Sequence, residues 1–245
     1  FTPDWYRGVE YTKEQERGYA SNEDLYVPGY FEVDIKKGES VVFSASTSPC
    51  KTGGLKRLFQ AEVDERSPRD NFFHCLVNAA HQFHKRTSKD ERYLLAGYPW
   101  FKCRARDTFI ALPGLTLSIE EQDYFELVMK TAERALREFM EGRPLTGKIV
   151  EIEQPDVMLW AIWAIQQYDK HAGREKCCSM YGKLLKDIVY FILDGKHPNL
   201  EVKENGLVYT EGRDKAVTWM NSTVNGSPVV PRTGYIVEFN ALWYN

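Results

Sequence analysis

Beyond about residue 55 the apolar residues recur every three or four positions in one segment after another. That rhythm commits most of the chain to helices in series. Ser67-Pro68-Arg69-Asp70 carries a helix-start signature, with a serine cap, a proline at the first position and an acid at the third. Behind it Phe72, Phe73, Leu76, Val77, Ala80 and Phe83 share one face. Ser118-Ile119-Glu120-Glu121 has the spacing of a capping box. Phe125, Val128, Met129, Ala132, Ala135 and Leu136 follow it, until Glu141-Gly142-Arg143-Pro144 breaks the pattern. Pro155-Asp156 opens a segment with Leu159, Trp160, Ile162, Trp163, Ile165 and Tyr168, apolar nearly all round, which predicts a buried helix. Another helix is predicted over 174–193, ended by Asp194-Gly195, and a last one begins near Tyr235.

Residues 1–50 follow a different period. Phe31, Val33 and Ile35 alternate with Glu32 and Asp34, Lys36-Lys37-Gly38-Glu39 turns, and Val41, Val42 and Phe43 follow. Alternation around a glycine turn predicts a β-hairpin, and Pro28-Gly29 marks a turn before it. The chain therefore divides into a β-rich segment, 1–50, and a helical part, 51–245. Long loops are expected at 94–106, 143–155 and 195–234; loops of that length in a compact helical domain usually carry function. Short and long connections alternate, which fits an α/α barrel with a pocket built from the long loops at one end.

Composition narrows the partners. Lys and Arg number 32 against 35 Asp and Glu, with no basic block, so a nucleic-acid surface is not expected. No apolar run reaches the ~18 residues that span a membrane. Cys50, Cys75, Cys103, Cys177 and Cys178 contain no C-x-x-C pair, so reduced thiols in a cytoplasmic protein are the simplest reading. The chain begins Phe1-Thr2-Pro3 without Met and stops inside the apolar pattern Leu242-Trp243-Tyr244-Asn245, so it reads as a fragment cut at both ends. Oligomeric state is not legible.

One segment carries chemistry. Ala96-Gly97-Tyr98-Pro99-Trp100-Phe101 is a non-helical aromatic loop, and Arg106-Asp107-Thr108 follows it. An aromatic face beside a carboxylate and a guanidinium suits a sugar: the C–H face of the ring packs on an aromatic ring, and its vicinal hydroxyls donate to Asp and accept from Arg. The same residues also suit a helix start, with Asp107 as cap and the aromatics as core. His81 and His84 stand three apart with no acid at helical spacing, so they are read as surface residues, and the five histidines offer no metal spacing.

Four motifs together resemble the amylo-α-1,6-glucosidase domain of the glycogen debranching enzyme family. They are Gly97-Tyr98-Pro99-Trp100-Phe101 with Arg106-Asp107-Thr108 and Leu112-Pro113-Gly114-Leu115; Asp156 with Leu159-Trp160; Thr218-Trp219-Met220; and Pro231-Arg232-Thr233-Gly234 with Val237-Glu238 and the run 240–245. The lead-in, Glu23-Asp24-Leu25 with Pro28-Gly29, fits as well. The resemblance implies a mainly α fold, an (α/α)6 barrel incomplete in this chain and preceded by a short β-hairpin element. On that reading 1–50 ends an N-terminal β domain and 51–245 is the N-terminal portion of the catalytic barrel. It implies inverting hydrolysis of α-1,6-linked glucose on glycogen or limit dextrin, with no cofactor, by two carboxylates and water.

The same resemblance assigns Arg106 and Asp107 to the terminal glucose, and Trp100, Asp156, Trp219 and Arg232 to the substrate side; Arg232 suits a carboxylate partner as well as a sugar hydroxyl. Asp156 also suits a helix cap, and Trp160 suits the core. The family acid position holds Asn221, an amide that cannot give a proton to the leaving oxygen. Glu238 is then the in-chain proton-donor candidate, with Glu211 as another, while the general base is expected beyond residue 245. Residues 102–105, Lys-Cys-Arg-Ala, depart from the acidic, Trp-containing link of the family. The other readings are a different α-glucosidase on the same barrel, of glucoamylase or trehalase type, and a non-catalytic glucan-binding protein.

Overall fold

The computed structural model describes residues 2–49, 51–98 and 100–245. Contacts divide the chain into two compact units, Phe1–Glu65 and Arg66–Asn245.

In the first unit, β1 (Asp4–Glu10) runs into the short helix α1 (Thr12–Glu16) and returns as β2 (Asn22–Val27). The two strands pair antiparallel, with Trp5 opposite Tyr26 and their rings 5.2 Å apart. The register shifts between Tyr6 and Val9, where Gly8 takes φ +62° and donates its N–H to Asp24 Oδ1 at 2.8 Å. This is a bulge that only glycine adopts without strain. The hairpin expected at 31–43 is corrected: those residues form no strands. The Lys36–Glu39 turn closes as read, with the Glu39 N–H on the Lys36 carbonyl at 3.0 Å. Phe31 and Phe43 meet edge-on at 4.8 Å, yet the arms make no backbone ladder. Alternation alone does not supply the pairing that β1 and β2 gain from their register. After a 3-10 turn at Thr52–Gly54, α2 (Leu55–Glu65) ends the unit.

The second unit is mainly helical. Helix α3 (Phe72–Phe83) starts later than the Ser67-Pro68 signature implies. Asn71 is the cap, its Oδ1 accepting the His74 N–H at 2.8 Å, and Asn78 Nδ2 donates back to the Ser67 carbonyl at 2.8 Å. Strands β3 (His84–Arg86) and β4 (Arg92–Leu94) form a small antiparallel pair, then β5 (Cys103–Arg104) leads into α4 (Ala105–Leu115).

The capping box at 118–121 is also corrected. Leu117–Ile119 is a 3-10 turn, Glu120 is left-handed at φ +64°, and α5 (Gln122–Met140) begins after Glu121 with no side-chain cap. The Glu121 carboxylate turns away from Ser118 to His81 Nε2, 2.6 Å off.

β6 (Ile149–Val150) precedes α6 (Val157–Ala172), and α7 (Arg174–Leu193) follows directly. As predicted, α6 is buried on nearly every side, through Val157, Met158, Leu159, Ala161, Ala164, Ile165 and Tyr168. Two hairpins fill the last long connection: β7 (Glu201–Val202) with β8 (Val208–Tyr209), and β9 (Thr223–Val224) with β10 (Ser227–Pro228). Helix α8 (Val237–Tyr244) ends the chain.

Alternate helices are neighbours: α4 packs on α6, α6 on α8, and α5 on α7. The core lies between them, with Phe109, Leu112, Phe125, Met129, Leu136, Met158, Leu159, Ile165, Tyr168 and Phe239 fully enclosed. No described helix is long and apolar enough to cross a membrane. Cys75, Cys103, Cys177 and Cys178 are free thiols, and Cys50 lies outside the described residues.

Candidate active site

The site is built on the segments that lead into α4 and α6. β5 and β6 pair in parallel, Cys103 opposite Ile149 and Arg104 opposite Val150, so these two segments run side by side. Arg104 reinforces the pairing with a 3.0 Å contact to Glu151, whose backbone is left-handed at φ +60°.

One step on, Arg106 meets Asp156 across 50 residues of chain. Arg106 Nε donates to Asp156 Oδ2 at 2.7 Å and Nη2 to Oδ1 at 2.8 Å. Both side chains are more than nine-tenths buried. The Trp160 indole N–H donates to the same carboxylate at 3.2 Å. Asp156 stands at the helix-cap position but makes no side-chain capping bond; its oxygens are committed to Arg106 and Trp160. The two expected substrate contacts, Arg106 and Asp156, therefore serve each other first. Trp160, read from sequence as core, is half-buried and polar at one edge.

Asp107 is placed differently. It sits in the first turn of α4, exposed, where a carboxylate gains from the helix dipole. It is the charged group lining a pocket of about 280 Å³, whose other walls include Phe83, Leu94, Ala96, Ile110 and Leu115.

The aromatic loop closes on itself near this pocket wall. The Ala96 N–H donates to the Lys102 carbonyl and the Phe101 N–H to the Gly97 carbonyl, both at 3.1 Å. A Cβ on Gly97 would stand 3.0 Å from the Phe101 ring, so a larger residue there would have to shift that ring. Tyr98, Trp100 and Phe101 are all exposed, Trp100 to 82%. Of the two readings of this loop, aromatic faces for a sugar or core packing, the exposure goes against the core. Pro99 of the same run lies outside the described residues.

The remaining residues form a second group before α8. Arg232 donates through both terminal nitrogens to the Glu238 carboxylate, Nη2 to Oε2 at 3.0 Å. The guanidinium holds the Glu238 carboxyl below the usual glutamate range. A proton donor needs the opposite shift. Glu211, the other candidate acid, accepts from the Arg213 N–H at 3.0 Å and from Thr233 Oγ1 at 2.9 Å, and these bonds lower its pKa too. Trp219 is 63% exposed and Asn221 is exposed, just ahead of β9. No hydrogen bond or ion pair among the described residues joins this group to Arg106 and Asp156.

The surface reading of His81 and His84 is corrected. The His84 side chain is only 9% exposed, and the acidic partner that helical spacing does not supply is Glu121, 40 residues on from His81.

Sequence reading missed one organising residue. Asn240 Oδ1 accepts the Val208 N–H at 2.9 Å and its Nδ2 donates to the Val208 carbonyl at 3.0 Å, pinning β8 to α8. A lone asparagine on a helix face is the only sequence signal for it.

Two family models match the chain. Residues 77–245 match the family described as amylo-alpha-1,6-glucosidase, and residues 1–42 match the one described as the glycogen debranching enzyme N terminal. No curated protein and no solved structure matches it. With the first match covering most of its length, the chain belongs to the amylo-alpha-1,6-glucosidase family of glycogen debranching glycosidases.

Proposed function

We propose that the protein hydrolyses α-1,6-linked glucose at branch points of glycogen or a limit dextrin, with inversion at the anomeric carbon, on an α/α barrel. The observation that carries this reading is the position of Asp107. It is a solvent-reachable carboxylate on a mostly apolar pocket, one residue from the buried Arg106–Asp156 pair that fixes the start of α4. A carboxylate accepts from two vicinal sugar hydroxyls more strongly than a neutral group does. The pocket lies near the lower bound of ~300 Å³ for ligand sites, a size for one sugar ring rather than a chain. Trp100, with Tyr98 and Trp219, offers exposed faces for further rings. The contacts of alternate helices support the barrel, since inner helices of such a fold are neighbours at every second position.

Inverting hydrolysis needs an acid on the leaving oxygen and a base on water, about 6.5–9.5 Å apart. The amide at Asn221 and the ionised state of Glu238 favour a second reading, in which the protein grips branched glucan without cleaving it.

The deciding assay is glucose release from a phosphorylase-limit dextrin by the full-length protein, with the anomer followed by NMR. Release of β-glucose supports inverting hydrolysis. Dextrin binding without release, abolished in Asp107→Ala, supports the second reading.

A further inference from the structure

Outside the sugar-site residues, the C-terminal end of α3 and the approach to α5 bring three metal-ligating groups together. His81 closes α3, His84 opens β3, and Glu121 precedes α5. One ligand atom from each lies within 4.8 Å of the other two. We propose that His81 Nε2, His84 Nδ1 and the Glu121 carboxylate form a site for a divalent transition-metal cation of the zinc type.

The hydrogen bonds carry the argument. His84 Nε2 lies 2.9 Å from the Leu115 carbonyl, which can only accept. The ring hydrogen is therefore on Nε2, and Nδ1 holds a bare lone pair. That lone pair faces Glu121 Oε2 at 3.7 Å, so two acceptors confront each other. A positive ion between them removes the conflict. A proton on Nδ1 would do so as well, and metal binding by the stripped protein separates the two.

A backbone carbonyl that fixes the tautomer of a buried imidazole is the usual support behind a metal-bound histidine. The His84 ring is also stacked on Tyr124, with centroids 3.9 Å apart and planes 15° from parallel, which locks its orientation. On the other side, His81 Nε2 stands 2.6 Å from Glu121 Oε1. Ligands about 2.0–2.2 Å from one ion lie ~3–3.5 Å from each other, so the 2.6 and 3.7 Å contacts to Glu121 need sub-ångström adjustments, and the ligand atoms all start within 4.8 Å of one another. His81 and Glu121 keep about a third of their side-chain surface exposed, 36% and 34%, which leaves a path for the ion and room for water ligands.

Two imidazoles and one carboxylate, with open positions, suit zinc and its first-row neighbours better than magnesium or calcium. Such an ion would tie α3 and β3 to the start of α5, beside Phe83 and Leu115 of the pocket wall.

The test is zinc binding to the chelator-stripped protein, by equilibrium dialysis and calorimetry, with X-ray absorption on the loaded sample. One Zn²⁺ per chain is expected, in a nitrogen and oxygen shell, with a rise in Tm as zinc is added. His81→Gln keeps a hydrogen-bonding group without an imidazole, and Glu121→Gln keeps the shape without the charge. Each is expected to weaken zinc about tenfold or more and to abolish the Tm rise. Cys75→Ser and His74→Ala, at an exposed thiol and a half-buried histidine paired with Asp70, are expected to change neither. Unchanged affinity in His81→Gln and Glu121→Gln, sulfur in the first shell, or binding far below one ion per chain overturns the proposal.

Discussion

Arg106 and Asp156 lock together through two parallel hydrogen bonds of 2.7 and 2.8 Å, although 50 residues separate them. The fork geometry of guanidinium and carboxylate makes the contact directional, and its burial makes it intolerant of a missing partner. Arg106→Met leaves Asp156 enclosed with only the Trp160 indole for company. Unfolding in urea is expected to show a loss of about 3 kcal/mol or more, and the double variant Arg106→Met with Asp156→Leu is expected to recover part of it. A loss under about 1 kcal/mol in the single variant would show that water reaches the pair.

Asp107 should behave in the opposite way. It is exposed, so Asp107→Asn is expected to leave stability within ~0.5 kcal/mol. Affinity for a branched maltooligosaccharide is expected to fall about ten- to hundredfold, because charge-assisted hydrogen bonds become neutral ones. On the proposed reading adjacent residues split the work, one fixing the helix start and one facing the ligand. Unchanged binding in this variant moves the sugar site elsewhere.

Much of the helical scaffold is legible from periodicity. Helices α5, α6 and α7 fall close to where apolar spacing puts them, because their buried faces repeat every three to four residues. The helix starts before α3 and α5 are not, because side chains there answer to distant partners. Glu121 reaches His81 rather than Ser118, and Asn71 out-competes Ser67 as cap. The β9–β10 hairpin had a readable signal in Asn225-Gly226, whose φ values of +51° and +82° suit a tight hairpin turn, yet it falls inside a stretch read as loop. At the site, the residue types of 96–107 read as sugar-binding chemistry, and that remains the proposed reading. The mutual commitment of Arg106 to Asp156 was not legible, since 50 residues separate them, whereas the carboxylate that Arg232 suits proves to be Glu238, six residues on.

Asn221 and Glu238 make a joint prediction. Arg232 holds the Glu238 carboxyl below the usual glutamate range, and Asn221, at the proposed acid position, is an amide. Restoring a carboxyl with Asn221→Asp is expected to raise glucose release from limit dextrin by about 10²-fold or more, the scale of a general acid. Equal rates in the two proteins would place the proton donor on another residue. In parallel, Arg232→Ala is expected to bring the Glu238 pKa up toward the ordinary glutamate range, read from the carboxyl carbon shift by NMR.

His197 predicts how stability depends on pH. Its ring is 4% exposed, accepts the Asn199 N–H through Nδ1 at 3.1 Å, and leaves Nε2 buried without a partner. Burial, helped by the Lys215 charge, pushes its pKa down to about 4 from the ordinary histidine value of 6.5. The unfolded chain therefore binds a proton near pH 6.5 that the folded chain refuses until about pH 4. The neutral ring's contribution is complete above pH 6.5 and is lost as pH falls toward 4, a drop of about 3 kcal/mol across that window. His197→Asn keeps an acceptor for Asn199 and carries no titrating group. Urea midpoints taken from pH 7 to pH 5, above most carboxylate titration, are expected to decline in the parent and to flatten in the variant. Parallel slopes would assign the pH dependence to other groups.

Gly212 joins the approach to Trp219 to the approach to α8. Its N–H donates to Thr233 Oγ1 at 3.0 Å, and the neighbouring Thr210 and Gly234 exchange backbone bonds at 3.1 and 2.9 Å. The segments lie so close that a Cβ on Gly212 would stand 2.1 Å from the Arg232 carbonyl oxygen and 2.5 Å from a Val217 methyl. A backbone oxygen cannot swing aside as a side chain does, so Gly212→Ala must push 232–234 outward. The expected cost is about 1–3 kcal/mol. The displaced Arg232 should also lose its grip on Glu238. The carboxyl of Glu238 is then expected to titrate nearer the ordinary range in Gly212→Ala, as it does in Arg232→Ala. If stability falls while the Glu238 titration stays put, the strain is absorbed at Val217, and the Arg232–Glu238 pair is held by α8 rather than by the packing against Gly212.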